Sequence, residues 1–331
     1  MAIKSALLTS ASVRDNTGQP IKNDSGTTAT ALDYGSGHVT PNSAVEPGLV
    51  YDSGLRDWVR FLCGAGQFNP SGQECSTFGS IDPSNLNTPN IAIGLLAGSQ
   101  TVTRTVTNVG KKTATYVAFV TEPAGVDVTV TLARIKIAPG RKKTFQVAIT
   151  RTSAAFDQYA FGSLTWSDGT HRVRSQIVVK PVAVAAPAEV EGAGAAGSTE
   201  IPLTSGFTGT LTASPAGLVP ATVATGTLQN PTGASFDTAN PTANDYTLKT
   251  TVSVPAGTTL ARFQTFDRDH PAGTDLDLFV FEAGTANLVG QSAGGTSEEL
   301  VDVEDPAAGD YDVYVYLFGL APGQSSVNAS E

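Results

Sequence analysis

Three histidines, His38, His171 and His270, are the only side chains here that titrate near neutral pH unperturbed. Nucleophilic catalysis of the Ser-His-carboxylate type needs one of them set against a serine and a carboxylate in space. Their neighbourhoods give little sign of that. His38 stands in a Gly-rich loop, His171 follows an Asp-Gly turn, and His270 lies in an Asp-rich run before Pro271. No Gly-x-Ser-x-Gly elbow occurs. Asp24-Ser25-Gly26 and Asp52-Ser53-Gly54 repeat a pattern in which two carboxylates share a proton. Such a dyad needs two symmetric lobes, and the 28 residues from position 24 to position 52 cannot build them. No residue is therefore assigned a catalytic role, and the chain alone is expected to be inactive.

The densest carboxylate group is Asp267, Asp269, Asp275 and Asp277, with Glu304 and Asp305 further on. Calcium takes several hard oxygens, often from loops, so these four aspartates are the candidate metal ligands; no other cofactor is expected. The competing reading places Asp275 and Asp277 on the solvent face of a strand. The D-x-[DN]-x-[DN]-G loop signature is absent. Cys63 and Cys75 are the only cysteines. Their spacing suits either a small disulfide loop or two unrelated thiols.

These residues are spread over a chain of 331 residues, enough for two or three domains. It is 40% hydrophobic and 15% charged, with 34 Gly and 19 Pro, which points to turn-rich, mainly β structure. Lys+Arg against Asp+Glu number 5 and 8 in residues 1–90, 12 and 4 in 91–180, and 3 and 18 in 181–331, giving −3, +8 and −15 and the total of −10. That asymmetry implies separate domains. The basic middle has only one cluster, Arg141-Lys142-Lys143, and its other charges are scattered, so a nucleic-acid partner is not expected. Ala6-Leu7-Leu8 is the only apolar run near the start, too short for a signal-peptide core or a membrane span.

Helical spacing of Ile3, Leu7, Leu8 and Ala11 predicts an apolar-faced helix over residues 1–11. Residues 53–64 read as a second helix, capped by Asp52 or Ser53 and stopped at Gly64, with Leu55, Trp58, Val59, Phe61 and Leu62 on its apolar face. Residues 65–90 read as loop. Seven β-rich runs follow between 91 and 182 (100–108, 113–121, 126–132, 134–137, 144–150, 160–166 and 172–179), separated by turn signals, which predicts an immunoglobulin-type β-sandwich. Residues 183–199 are an Ala/Gly/Pro-rich linker. Strands at 246–254, 260–266, 275–281, 298–303 and 311–318, with weaker ones earlier, predict a second sandwich over 200–331. Tyr314 and Tyr316 are read as core or edge residues before a binding face.

The run Leu32–Asp52 (Leu-Asp-Tyr-Gly-Ser-Gly-His-Val-Thr-Pro-Asn-Ser-Ala-Val-Glu-Pro-Gly-Leu-Val-Tyr-Asp) resembles the segment that closes the catalytic domain of subtilases, the subtilisin-like serine peptidases. Met1–Ala11 resembles a helix that follows the family's serine-bearing helix. Thr103–Gly110 (Thr-Arg-Thr-Val-Thr-Asn-Val-Gly) and Leu164–Val173 resemble the fibronectin type III-like domain of these peptidases. The runs at 275–281 and 306–316 resemble the bacterial prepeptidase C-terminal domain, a jelly-roll-like sandwich. Mainly β, the chain should then hold two β-sandwiches, fibronectin type III-like and jelly-roll-like, behind a helix-and-loop remnant of an α/β catalytic domain at 1–90. The resemblance implies the non-catalytic part of a secreted serine endopeptidase, with the motifs of its Asp, His and Ser lying outside this chain. The missing catalytic domain is then the expected partner, with protein or polysaccharide substrate beyond it. His38 matches a family position that is not the catalytic histidine and is expected to stabilise its loop. A secreted context favours the Cys63–Cys75 disulfide. The competing class is a free-standing secreted binding or adhesion module.

Overall fold

The computed structural model describes all residues except 1, 69–72, 188, 191, 193–195, 215, 216, 218, 231 and 331. Its chain divides into two compact units, residues 1–210 and 211–331.

The first unit is built around a sandwich. Strands β1 (Leu49–Tyr51), β2 (Ile91–Leu96), β3 (Ser99–Asn108), β4 (Ala114–Thr121), β5 (Val126–Val130), β6 (Arg134–Ile137), β7 (Lys142–Arg151), β8 (Ala160–Ser167) and β9 (Arg172–Pro181) form two sheets, ordered β1-β3-β7-β5 and β2-β9-β8-β4-β6. All seven predicted runs are strands. Alternation explains the burial: Val102, Val106, Phe145, Val147, Ile149, Leu164, Trp166, Val173, Ile177 and Val179 point inward as one core, with Phe145 and Trp166 edge-to-face at 5.0 Å. Two strands come from outside the predicted sandwich runs. β2 pairs parallel with β9, and β1 pairs antiparallel with β3, placing Leu49 opposite Asn108 and Tyr51 opposite Val106. Leu49 and Tyr51 belong to the sandwich core. The leading segment and the sandwich are thus one compact unit.

Helices α1 (Ala2–Thr9), α2 (Ala31–Tyr34), α3 (Pro41–Val45), α4 (Leu55–Gly64) and α5 (Gln73–Phe78) all lie in the leading segment. The cap of α4 differs from the one expected. Gly54 is the N-cap, and the Asp57 carboxylate accepts the Gly54 N–H at 2.9 Å, so the acid three residues in satisfies the orphan donor in place of Asp52 or Ser53. Residues read as loop contain α5 and a 3₁₀ turn, Pro83–Asn85. Cys63 at the end of α4 is bonded to Cys75 of α5, with Cα atoms 5.6 Å apart. This bond closes a 12-residue separation outside both sheets, so its effect is local. Alkylation of both thiols is expected only after reduction, and reduction should leave the sandwich melting temperature within about 2 °C. Part of the predicted linker is ordered: β10 (Val184–Ala185) pairs with β11 (Thr204–Ser205). The remainder of that stretch includes residues outside the described set.

The second unit has a four-stranded sheet ordered β13-β18-β15-β16 and two strand pairs, β12-β19 and β14-β17. Their ranges are β12 (Thr225–Leu228), β13 (Thr247–Val254), β14 (Leu260–Thr265), β15 (Asp275–Glu282), β16 (Leu288–Ser292), β17 (Glu299–Glu304), β18 (Gly309–Gly319) and β19 (Val327–Ser330). One core joins Leu276, Leu278, Val280, Val313, Val315 and Leu317 to Leu228, Phe263, Val301, Val327 and Ala329. The opposite face of the same sheet is also covered. Phe236 sits over Phe279, Phe281, Tyr314 and Tyr316, with ring centroids 4.7 to 6.3 Å away. Both tyrosine hydroxyls donate to backbone carbonyls, Tyr314 to Pro241 at 3.2 Å and Tyr316 to Ala234 at 2.8 Å. These tyrosines are core residues. Asp277 shares their face and is buried, which overturns the solvent-face reading for that residue.

Candidate functional site

The best-built polar constellation is structural, and it fastens the leading segment to the sandwich. α1 turns its small polar side inward: Ser5, Ala6 and Thr9 are buried. The Tyr51 N–H donates to Ser5 Oγ at 2.9 Å, which occupies the free edge of β1. Tyr51 Oη accepts from Ser175 Oγ of β9 at 3.1 Å, so one tyrosine ties α1, β1 and the second sheet together. Burial pushes the Tyr51 phenol upward, against smaller downward pulls from Ser175 and Arg104, so it stays neutral.

Asn87 and Asn90 make the next layer. Asn87 Nδ2 donates to the carbonyls of Asp52 and Thr105, and its Oδ1 accepts the Thr105 N–H at 2.8 Å. Asn90 Nδ2 donates to Ser36 Oγ at 3.0 Å, and its Oδ1 accepts the Gln176 N–H at 3.2 Å. Beneath them lies Arg104, only 2% exposed. Its guanidinium donates to the carbonyls of Ser84 (2.8 Å), Thr103 (3.0 Å) and Asn90 (3.1 Å). No carboxylate ion-pairs with it among the described residues. Burial lowers its pKa to about 10, which still leaves it charged at neutral pH. Arg104 lies inside the strand predicted over 100–108; a single Arg at an inward position of an alternating Thr/Val strand is the sequence signal for it.

The histidines are dispersed. His38 is exposed and its backbone pairs with Ser12, so the loop role belongs to its N–H and carbonyl. Gly37 beside it, at φ +116, would bring a Cβ to 2.3 Å from the Ser12 carbonyl oxygen. His171 Nδ1 lies 2.8 Å from Asp168 Oδ2. Burial acts upward on Asp168, but hydrogen bonds from His171 and Thr170 outweigh it and hold the carboxyl low. No serine hydroxyl bonds to His171 among the described residues, so this is a dyad without a nucleophile. Its neighbour is Gly48, at φ +75, where a Cβ would strike Tyr116 Oη at 2.5 Å and the His171 ring at 2.8 Å. His270 is buried with neither ring nitrogen bonded among the described residues.

The four predicted metal ligands are split. Asp267 and Asp269 lie on a 3₁₀ turn, where Asp267 Oδ1 accepts the Ser297 N–H at 2.7 Å. Asp275 and Asp277 begin β15. Among the described residues no three His, Cys, Asp or Glu side chains gather closely enough to hold a metal ion. Asp277 is instead close to two other acids. Burial first, then Asp275 and Glu299, raises its pKa to about 6. No helix among the described residues is long and apolar enough to cross a membrane.

Residues 85–179 match the fibronectin type-III domain family. Subtilisin-like protease SBT5.3 of Arabidopsis thaliana is 42% identical over 189 residues, covering 54% of this chain and 24% of that protein. Subtilisin-like serine-protease S of Lotus japonicus is 44% identical over 184 residues, covering 53% and 24%. The chain thus spans about a quarter of the length of the curated relatives it matches. Among solved structures, secreted serine protease VesC from Vibrio cholerae aligns with 73% of this chain and 48% of its own, at 13% identity and a TM-score of 0.25. About half of the chain is therefore related to subtilisin-like proteases, and it carries a fibronectin type-III domain.

Proposed function

We propose that the chain is the non-catalytic C-terminal portion of a secreted subtilisin-like serine endopeptidase. Its leading segment completes the catalytic domain, the fibronectin-type sandwich braces that domain, and residues 211–331 act as a prepeptidase C-terminal-like module that modulates processing or substrate attachment. One observation carries the reading. The leading segment is bonded to the sandwich through small polar side chains and through Leu49 and Tyr51 in its core, while other large apolar side chains face outward: Ile3 is 82% exposed, Leu55 81% and Val45 80%. Of the apolar face predicted for α1, Ile3 and Leu7 are uncovered while Leu8 and Ala11 are half-buried, because Ser5, Ala6 and Thr9 fit the tight approach to β1. Apolar side chains displayed on an ordered support await a partner surface.

Two measurements test this. A serine-directed fluorophosphonate should leave the chain unlabelled, and covalent labelling of any serine would overturn the non-catalytic assignment. Leu55→Asp should leave the melting temperature of this chain within about 2 °C, since the side chain touches water already. In a full-length relative the equivalent change should release or unfold the catalytic domain. Equal tolerance in both would favour the free-standing adhesion module.

A further inference from the structure

The basic charge of the sandwich reads as scattered along the sequence, yet the fold gathers most of it at one end. Asn108, buried at the end of β3, is the organiser. Its Nδ2 donates to the Lys112 carbonyl at 3.0 Å and to the Ile137 carbonyl at 2.8 Å. Its backbone N–H donates to the Arg141 carbonyl, and its own carbonyl accepts the Gly140 N–H. Two cross-sheet loops, 109–113 and 138–141, are thereby locked side by side. They carry or border Lys111, Lys112, Lys136, Arg141, Lys142 and Lys143, all exposed. β-Pairing extends the basic surface across the outer sheet. Arg134 lies opposite Val117, Val117 opposite Ser167, and Ser167 opposite Arg172, with Arg134 and Arg172 both exposed. None of these cations has an ion-pair partner among the described residues. Two carboxylates reach this end along the chain: Glu46, near Gly48, and Asp168, which is engaged by His171. The other acids of residues 91–180, Glu122, Asp127 and Asp157, follow β4, lie within β5 and precede β8, at the opposite end of those strands.

We propose that this end of the sandwich binds an acidic polysaccharide, a chain bearing regularly spaced carboxylate or sulfate groups. Cations two residues apart on a strand stand about 7 Å apart, and neighbouring strands lie about 4.8 Å apart, so the surface offers a rigid lattice of point charges to a linear polyanion. The eight cations stand on strands and turns. No helix lies among them to enter a nucleic-acid groove, and no aromatic ring among them offers a stack for a base. The ligand class rests on this charge geometry alone and goes beyond the proposed function, so either stands without the other.

The test uses the full chain, whose overall charge of −10 repels a polyanion and makes retention a report on the local surface. Heparin and polygalacturonate are the sulfate and carboxylate probes, with duplex DNA as the third arm. The chain should bind heparin or polygalacturonate at about 50 mM salt and lose binding steeply as salt rises. The double variants Lys142→Glu/Lys143→Glu and Lys111→Glu/Lys112→Glu should each weaken binding about tenfold or more with the melting temperature unchanged. Lys22→Glu, an exposed charge reversal in the leading segment, should leave it unaltered. Failure to bind either polysaccharide, equal loss with Lys22→Glu, or binding to duplex DNA as tight as to the polysaccharides would each overturn the proposal.

Discussion

Arg104→Ala is expected to cost the first unit about 3–5 kcal/mol. The guanidinium is only 2% exposed and supplies hydrogen bonds to three carbonyls from three different segments: the 3₁₀ turn at Ser84, the approach to β2 at Asn90, and β3 itself at Thr103. Truncation leaves the Ser84 and Thr103 carbonyls without this donor, leaves Asn90 with only the Thr88 hydroxyl at 3.3 Å, and opens a cavity where the side chain lay. It also removes a buried cation that had no carboxylate partner, and relief of that desolvation trims the loss. The orphaned carbonyls still dominate, because water cannot reach them without opening the packing between β3 and the 83–90 segment. Arg104→Met separates the two contributions. It keeps most of the volume and removes the donors, so it should recover only the cavity part. Arg104→Lys should recover little, since one ammonium cannot reach along three diverging carbonyl directions. Trp58 and Trp166 are the only tryptophans and both lie in residues 1–210, so tryptophan fluorescence reads this unit by itself. A Met variant as stable as the native chain would show that the carbonyls find other donors and that Arg104 is only a space-filler.

Such a residue marks where sequence reasoning stops. Alternation made the strands legible: Val102, Val106, Phe145, Val147 and Ile149 are inward because every second residue is apolar, and the sheets follow. The turn signals at Pro139-Gly140 and Asp168-Gly169 placed the loops. Short strands whose pairing is long-range were not legible. Leu49–Tyr51 is three residues, and its identity as a strand depends on the edge of β3, more than fifty residues away in sequence. The inward polar side of α1 was missed for a related reason. Helical periodicity finds the apolar stripe and assigns it to the nearest core, but Ser5 packs inward because it offers Tyr51 an acceptor, a contact set by tertiary structure. The disulfide followed from context, and among the described residues the four aspartates do not gather into one cluster, since ligand types in a row specify no convergence in space. The basic end shows the reverse effect: cations separated by up to 61 positions, from Lys111 to Arg172, meet because Asn108 locks two loops and β-pairing aligns the rest.

Asp277→Asn is expected to stabilise the second unit at pH 8 by about 1–2 kcal/mol and to flatten its pH dependence between about pH 4 and 7. Asp277 is 8% exposed on the sheet face that holds Phe279, Phe281, Tyr314 and Tyr316, and further along it the Lys249–Asp312 ion pair. Burial, with Asp275 and Glu299 nearby, raises its pKa to about 6. A carboxyl raised in the folded state contributes stability that is fully present below its unfolded pKa and is lost as pH rises through the folded value. The native second unit should therefore gain stability as pH falls from about 7 toward 4. A rise from the ordinary carboxyl value near 4 to about 6 corresponds to about 3 kcal/mol, and screening by water at the strand end reduces this to about 1–2 kcal/mol. Asp275, also raised by burial, works in the same direction. Asp312 works in the opposite one: burial pushes it upward, but the Gly284 N–H, Lys249 and Thr251 outweigh that and hold it low. Its contribution is present above the unfolded pKa and disappears only as pH falls further, so the stability maximum should lie near pH 4–5. Asparagine keeps the shape and removes the charge, so the variant's advantage should be largest at pH 8 and shrink steadily as pH falls toward 4. Calorimetry from pH 4.5 to 8.5 checks this, with tryptophan fluorescence reporting an unchanged first unit. A variant less stable than the native chain at pH 8 would mean that ionised Asp277 makes a favourable contact there, with Lys249, the cation on the same face, as the counter-charge.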